Sequence, residues 1–161
     1  MNPLIITALY DIGRSNWKDF AMSYDTYLHW MENTLALNCE MVIFIQPRFE
    51  ERVRSARSKA DPSGTMTKYV INEIEDLEAY KRWNEPLTNL MESEEFKSKR
   101  HWDHVPEMNY PLYNIVMFNK VHFLKEAHDL CPEATHLLWL DAGGIRHEID
   151  NTNWPDIDKL E

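Results

Sequence analysis

The apolar positions of this chain fall into two kinds of pattern. Residues 4–9 form an unbroken apolar run closed by Asp11 and Gly13, which predicts a buried strand emptying into a loop. Phe20, Tyr24, Leu28, Met31 and Leu35 then recur at spacings of three and four. That predicts an amphipathic helix, capped by Ser15 or Asn16 and ended by Asn38. Residues 41–45 are a second apolar run stopped at Pro47 and read as a strand buried on both faces. Two such strands joined by a helix make a βαβ unit.

Residues 48–59 read as a charged helix followed by a turn at Asp61, Pro62, Ser63 and Gly64. Residues 67–74 are β-rich around Val70 and Ile71 and predict a less buried strand. Residues 75–99 look helical with an interruption at Pro86, and the aperiodic stretch HWDHVPEMNYP is a loop. Helical spacing returns over 113–130, closed by Pro132, and a third apolar strand at 136–140 ends abruptly in Asp141, Ala142, Gly143 and Gly144. Strands alternating with helices define an α/β class: one domain over residues 1–161, with a mostly parallel sheet covered on both faces by helices. Ligands of such sheets sit beyond the carboxyl ends of the strands, where both TALYDIGR and WLDAGGIR fall.

Charge and cysteine content narrow the partners. Acidic residues outnumber basic ones 27 to 17, with no basic block, so nucleic acid is not an expected partner. A small phosphorylated ligand is not excluded, because a few local cations outweigh a distant surface screened over about 8 Å. Cys39 and Cys131 belong to no metal or disulfide pattern and read as buried thiols. No run is long enough to span a membrane, and the start of the chain lacks the marks of a secretory signal, so cytoplasmic residence is expected. A short sheet also predicts an edge strand able to pair with another chain, hence a homo-oligomer.

A carboxylate fixed at the end of a buried strand and followed by two glycines suits a metal-bound diphosphate. The carboxylate joins phosphate oxygens around the ion, and the glycines let backbone N–H groups approach. Asp141 fits that role with Arg146 on phosphate; equally, Asp141 can simply cap its turn. In the first loop Asp11 can accept from a ribose or base and Arg14 can pair with phosphate, or the segment is a plain turn into a helix. Lys120 lies in the row Val116, Lys120, Phe123 or Leu124, Ala127, where it either faces phosphate or snorkels to water. The triplet His101, Asp103 and His104 lacks metal-motif spacing, and Trp17 reads as packing rather than as a base-stacking platform.

The order LIITALYDIGR with Trp17, MVIFIQP, FNKVHFLKEA and HLLWLDAGGIR resembles the HtrL/YibB family, also described as WlaTC/HtrL glycosyltransferases. WLDAG is similar to the strand-end signature of the wider GT-A superfamily. The resemblance implies a GT-A-like fold, a nucleotide-sugar donor, Mn²⁺ or Mg²⁺, and a glycan acceptor such as lipopolysaccharide or capsule. By that resemblance Asp141 stands for the first aspartate of D-x-D and is the metal ligand. Lys120 stands for the preceding-helix lysine, and Thr7, Ala8, Leu9, Tyr10, Asp11 and Arg14 for the first nucleotide loop, with Ala142, Gly143 and Arg146 beside Asp141. Gly143 replaces the second aspartate, and the acceptor-binding part of such enzymes is expected to lie outside this chain. The resemblance assigns no catalytic base to a residue of this chain. The competing readings are a non-catalytic nucleotide- or partner-binding module, and a phosphoesterase using Asp141 with His104 or His147.

Overall fold

Every strand of the sheet runs in the same direction. The computed structural model describes residues 2–101 and 104–147, with positions 156 and 159. Its strands are β1 (Pro3–Leu9), β2 (Glu40–Ile45), β3 (Thr67–Ile71) and β4 (His136–Trp139), in the order β3-β2-β1-β4. Ile5 pairs with Met41 on one side of β1 and with Leu138 on the other, all parallel. The helices are α1 (Tyr24–Leu35), α2 (Glu50–Arg57), α3 (Glu78–Glu92), α4 (Glu94–Lys99) and α5 (Pro111–Leu130).

Strand alternation assigns the two cores. Ile5, Leu9, Met41, Ile43 and Ile45 pack under Leu28, Met31 and Leu35 of α1 and Val53 of α2. Leu4, Ile6, Val42 and Phe44 face the opposite way, onto Phe123 and Ala127 of α5 with Ile74 and Leu77. With both faces covered, the central strands show apolar runs rather than alternating polarity. This is a Rossmann-like arrangement. The edge strand β4 is half-buried throughout, less than its sequence suggests.

Three local expectations change. The first helix starts at Tyr24, capped by the Ser23 hydroxyl, which accepts from the Thr26 amide at 3.2 Å. Ser15 and Asn16 instead lie in a single 3₁₀ turn after Gly13, and Phe20 is exposed with a φ of 59°. Trp17 accounts for the detour: it stacks on Tyr110 at 4.0 Å, drawing the chain toward α5 before it can turn into a helix. Pro86 does not interrupt its helix, because the carbonyl it leaves unpaired belongs to Arg82, and both residues are exposed. The break falls at Ser93, which caps α4. Asn119 of α5 supplies the cap α3 lacks locally, accepting from the Ala79 amide at 3.1 Å.

Arg57 is the least expected member of the core, 1% exposed at the end of α2. Its guanidinium donates to the carbonyls of Leu35 (2.9 Å), Leu37 (2.5 Å) and Cys39 (2.6 Å) and to Thr67 Oγ1 (2.8 Å). Thr67 passes the interaction on, donating to Asp61 Oδ2 at 2.8 Å. The carbonyls include those left unsatisfied where α1 ends, so one side chain closes that helix and ties β2 to β3.

Cys39 and Cys131 are both buried free thiols, as their spacing suggested. Burial pushes the Cys39 thiol up to about 11, with Glu40 adding to the rise and Arg57 opposing it. The native protein is therefore expected to leave Cys39 unmodified by a thiol-disulfide reagent at pH 8 and to yield it on denaturation. Rapid labelling of Cys39 in the folded state, read by peptide mass, would contradict this packing. Among the described residues no helix is long and apolar enough to cross a membrane.

Candidate functional site

The strand order creates the site. From β1 the chain passes to β2 on one side, and β4 returns to lie on the other, so the connections diverge at the carboxyl ends of β1 and β4. A cleft of about 530 Å³ opens there, between the loop after β1, the first turns of α1, the first half of α5 and the turn after β4. Ala8, Leu9, Tyr10, Arg14, Asp141, Ala142, Gly143 and Arg146 line it, which brings together two chain segments far apart in sequence.

Asp141 is held from below. Lys120 Nζ donates to its Oδ1 at 2.8 Å and Trp139 Nε1 to the same oxygen at 2.7 Å. The Lys120 ammonium lies 5.0 Å from the centre of the Trp139 ring. Lys120 is 22% exposed along its side chain and Asp141 65%, so a cation rooted in the α5 core row presents a carboxylate to solvent. Oδ2 has no partner among the described residues. Partial burial works against ionisation of Asp141, but the bonds from Lys120 and Trp139 and the ammonium charge prevail and hold its carboxyl below the usual aspartate range. A carboxyl lowered by folding adds stability above its unfolded value of about 3.9 and loses it as pH falls through the folded value. The Trp139 indole N–H resonance is thus expected to hold constant down to about pH 4 and to move only below it. A midpoint above pH 4.5 would mean Asp141 is not so restrained.

Two arginines flank this carboxylate. Arg14 lies 5.2 Å from the ring centres of both Trp17 and Tyr27, and its Nε donates to the Phe20 carbonyl at 3.1 Å. Arg146 lies 4.6 Å from Trp30. Tyr27 and Trp30 meet edge to face at 5.5 Å. Gly143 abuts this pair: a Cβ there would stand 3.1 Å from Trp30 and 3.2 Å from Tyr27, so glycine permits the close approach. Burial pushes the Tyr27 hydroxyl upward, Arg14 and Arg146 pull it down, and Asp141 pushes it up, so all three charges act on one ring. Neither arginine has a carboxylate partner among the described residues.

Other expected residues take different places. Asp11 serves its own loop, its Oδ1 accepting from the Gly13 amide at 2.7 Å and its Oδ2 bonding the Arg48 guanidinium; it is not among the residues lining the cleft. Thr7 is fully buried inside the sheet, its hydroxyl without a partner. Trp17 is a packing residue, 6% exposed between Tyr110 and Arg14. Neither His104 nor His147 lines the cleft, and Asp103 lies outside the described residues. Sequence reasoning missed Tyr24, Tyr27, Tyr113, Val116 and Met117 as cleft walls. The signal was present for α5, since Tyr113 and Val116 precede Lys120 at spacings of three and four.

For the Mn²⁺ or Mg²⁺ expected by resemblance, the described part of the cleft supplies one carboxylate, Asp141, with Oδ1 already bearing an ammonium hydrogen bond. No group of three potential ligands occurs among the described residues, and they do not by themselves make an ion's cage.

An open all-parallel sheet flanked by helices, with a cleft at its switch point, places the chain among the Rossmann-like α/β folds. More narrowly, the chain belongs to the family described as "Bacterial protein of unknown function (HtrL_YibB)", which it matches over residues 2–156. It is 29% identical to Protein HtrL of Escherichia coli (strain K12) over 154 residues, 86% of this chain and 50% of that protein. The chain thus spans about half the length of the curated relative it matches. No solved structure matches it.

Proposed function

We propose that this chain binds a nucleotide-sugar at the β1/β4 cleft, as the donor-binding part of a GT-A-like glycosyltransferase acting on a glycan such as lipopolysaccharide or capsule. The observation that carries the reading is the joining of two distant segments, TALYDIGR and WLDAGGIR, around one cleft where Lys120 steadies Asp141. Such a cleft suits the donor's parts. Rings of Tyr24, Tyr27 and Tyr113 offer flat apolar walls to a base or sugar, and Asp141 Oδ2 is free to accept from sugar or ribose hydroxyls. Arg14 and Arg146 face the charge that develops on a departing diphosphate.

The test is a thermal-shift series with UDP-, GDP- and CMP-linked sugars, with and without Mn²⁺. A ligand at a hundred times its Kd stabilises the native state by about 2.7 kcal/mol, a readily visible shift. One class of nucleotide-sugar should raise the melting temperature, and Asp141→Ala should abolish that rise while leaving a cooperative unfolding transition. If none of the donors shifts the folded protein, the reading fails.

A second reading, a nucleotide-binding module without transfer activity, is favoured by one observation. Asp141, the one carboxylate among the described lining residues, is hydrogen-bonded to an ammonium and lowered in pKa, which makes it a poor general base. Donor stabilisation without hydrolysis or transfer would select this module; sugar release from the bound donor would select the enzyme.

A further inference from the structure

We infer that Arg14 and Arg146 together form the diphosphate clamp of this cleft, so that a nucleoside diphosphate binds with guanidinium groups, rather than a divalent cation, as its counter-charge. The inference rests on the nucleotide reading above and specifies the chemistry of that site.

Three observations carry it. Both guanidinium groups lie beside one aromatic pair, Arg14 against Tyr27 and Arg146 against Trp30, and that pair is locked by the glycine at 143. Each Nε is turned to a backbone carbonyl, Phe20 for Arg14 at 3.1 Å and Gly143 for Arg146 at 3.4 Å, which leaves the terminal guanidinium N–H groups for bonds to phosphate oxygens. Neither group is neutralised by a carboxylate among the described residues, although the chain carries 27 acidic residues against 17 basic. Arg48, 5.5 Å from the Tyr24 ring, shows the contrast, since it is paired with Asp11. Finally, Asp141 is the one carboxylate among the described lining residues, and it already carries the Lys120 ammonium on Oδ1, so its charge is partly balanced without an ion.

The experiment is isothermal titration of UDP, GDP and inorganic pyrophosphate into the protein in EDTA and in Mn²⁺, at two salt concentrations. Binding in EDTA is expected for pyrophosphate and one nucleotide, weakening as salt rises. Arg14→Gln and Arg146→Gln should each weaken it by about tenfold or more, the scale of a charge-assisted pair. Arg14→Lys should retain an intermediate affinity, and the near-ultraviolet circular dichroism of each variant reports whether the aromatic pair stays in place. Nucleotide binding that appears only with Mn²⁺, or that survives both glutamine changes with that signal intact, overturns the clamp and leaves the nucleotide reading standing. No binding in either buffer overturns both.

Discussion

Replacing Arg57 by methionine is expected to lower the unfolding free energy by about 3–5 kcal/mol, a large share of the 5–15 kcal/mol typical of such a domain. Methionine fills much of the same space with no donors. The carbonyls of Leu35 and Cys39 then lose their guanidinium donor, and that of Leu37 keeps only the Cys39 amide at 3.0 Å; each orphaned carbonyl costs roughly 1–3 kcal/mol if water cannot reach it. Asp61 loses its indirect cation as well, since Thr67 hydrogen-bonds both. Urea denaturation reads the effect as a fall in midpoint at unchanged slope. Arg57→Lys should recover part of the loss, because an ammonium keeps three donors but cannot span the same acceptors. A methionine variant within 1 kcal/mol of the parent would mean that those carbonyls find other partners.

The second large effect links the core to the cleft. Phe123 is 1% exposed on α5 and meets Phe44 at 4.6 Å, Tyr10 at 5.8 Å and Trp139 at 5.8 Å. Phe123→Ala is expected to cost about 3–5 kcal/mol, the range for truncating a buried aromatic ring. The cavity would border the ring whose indole N–H holds Asp141, so the loss should reach the site. Donor stabilisation should therefore fall along with stability, and the Asp141 carboxyl should return toward its ordinary range as Trp139 loosens. Phe123→Leu, which keeps most of the volume, should preserve both. Full donor stabilisation in a destabilised Phe123→Ala would separate the aromatic cluster from the site.

Much of this architecture is legible in the chain because parallel strands covered on both faces must be continuous apolar runs. Residues 4–9 and 41–45 stand out for that reason, and their alternation sorts the two cores. The strand-end position of Asp141 and the inward row of Lys120 are equally local facts, and the structure joins them at 2.8 Å. What periodicity could not register is long-range. Trp17 leaves the helical track to stack on Tyr110, 93 positions away in the chain, and so moves the start of α1 to Tyr24. Asp11 looked like a ligand-facing carboxylate because its partner Arg48 lies beyond β2 in sequence. Arg57 follows Val53 by four positions and so shares its inward face, but the charged helix around it gave no reason to bury a guanidinium; its acceptors are backbone carbonyls, which no sequence pattern reveals.

The tryptophan indole N–H resonances, followed during titration with the donor that stabilises the protein, report whether the β1/β4 cleft is where a nucleotide-sugar binds. Trp139 bonds Asp141, Trp30 backs Arg146 and Trp17 backs Arg14, whereas Trp83 sits on α3 against Arg82. Saturable shifts of Trp139, Trp30 and Trp17 with one shared affinity, and an unmoved Trp83, are expected. Saturable binding that leaves Trp139 and Trp30 in place would put the ligand elsewhere and contradict binding at the cleft.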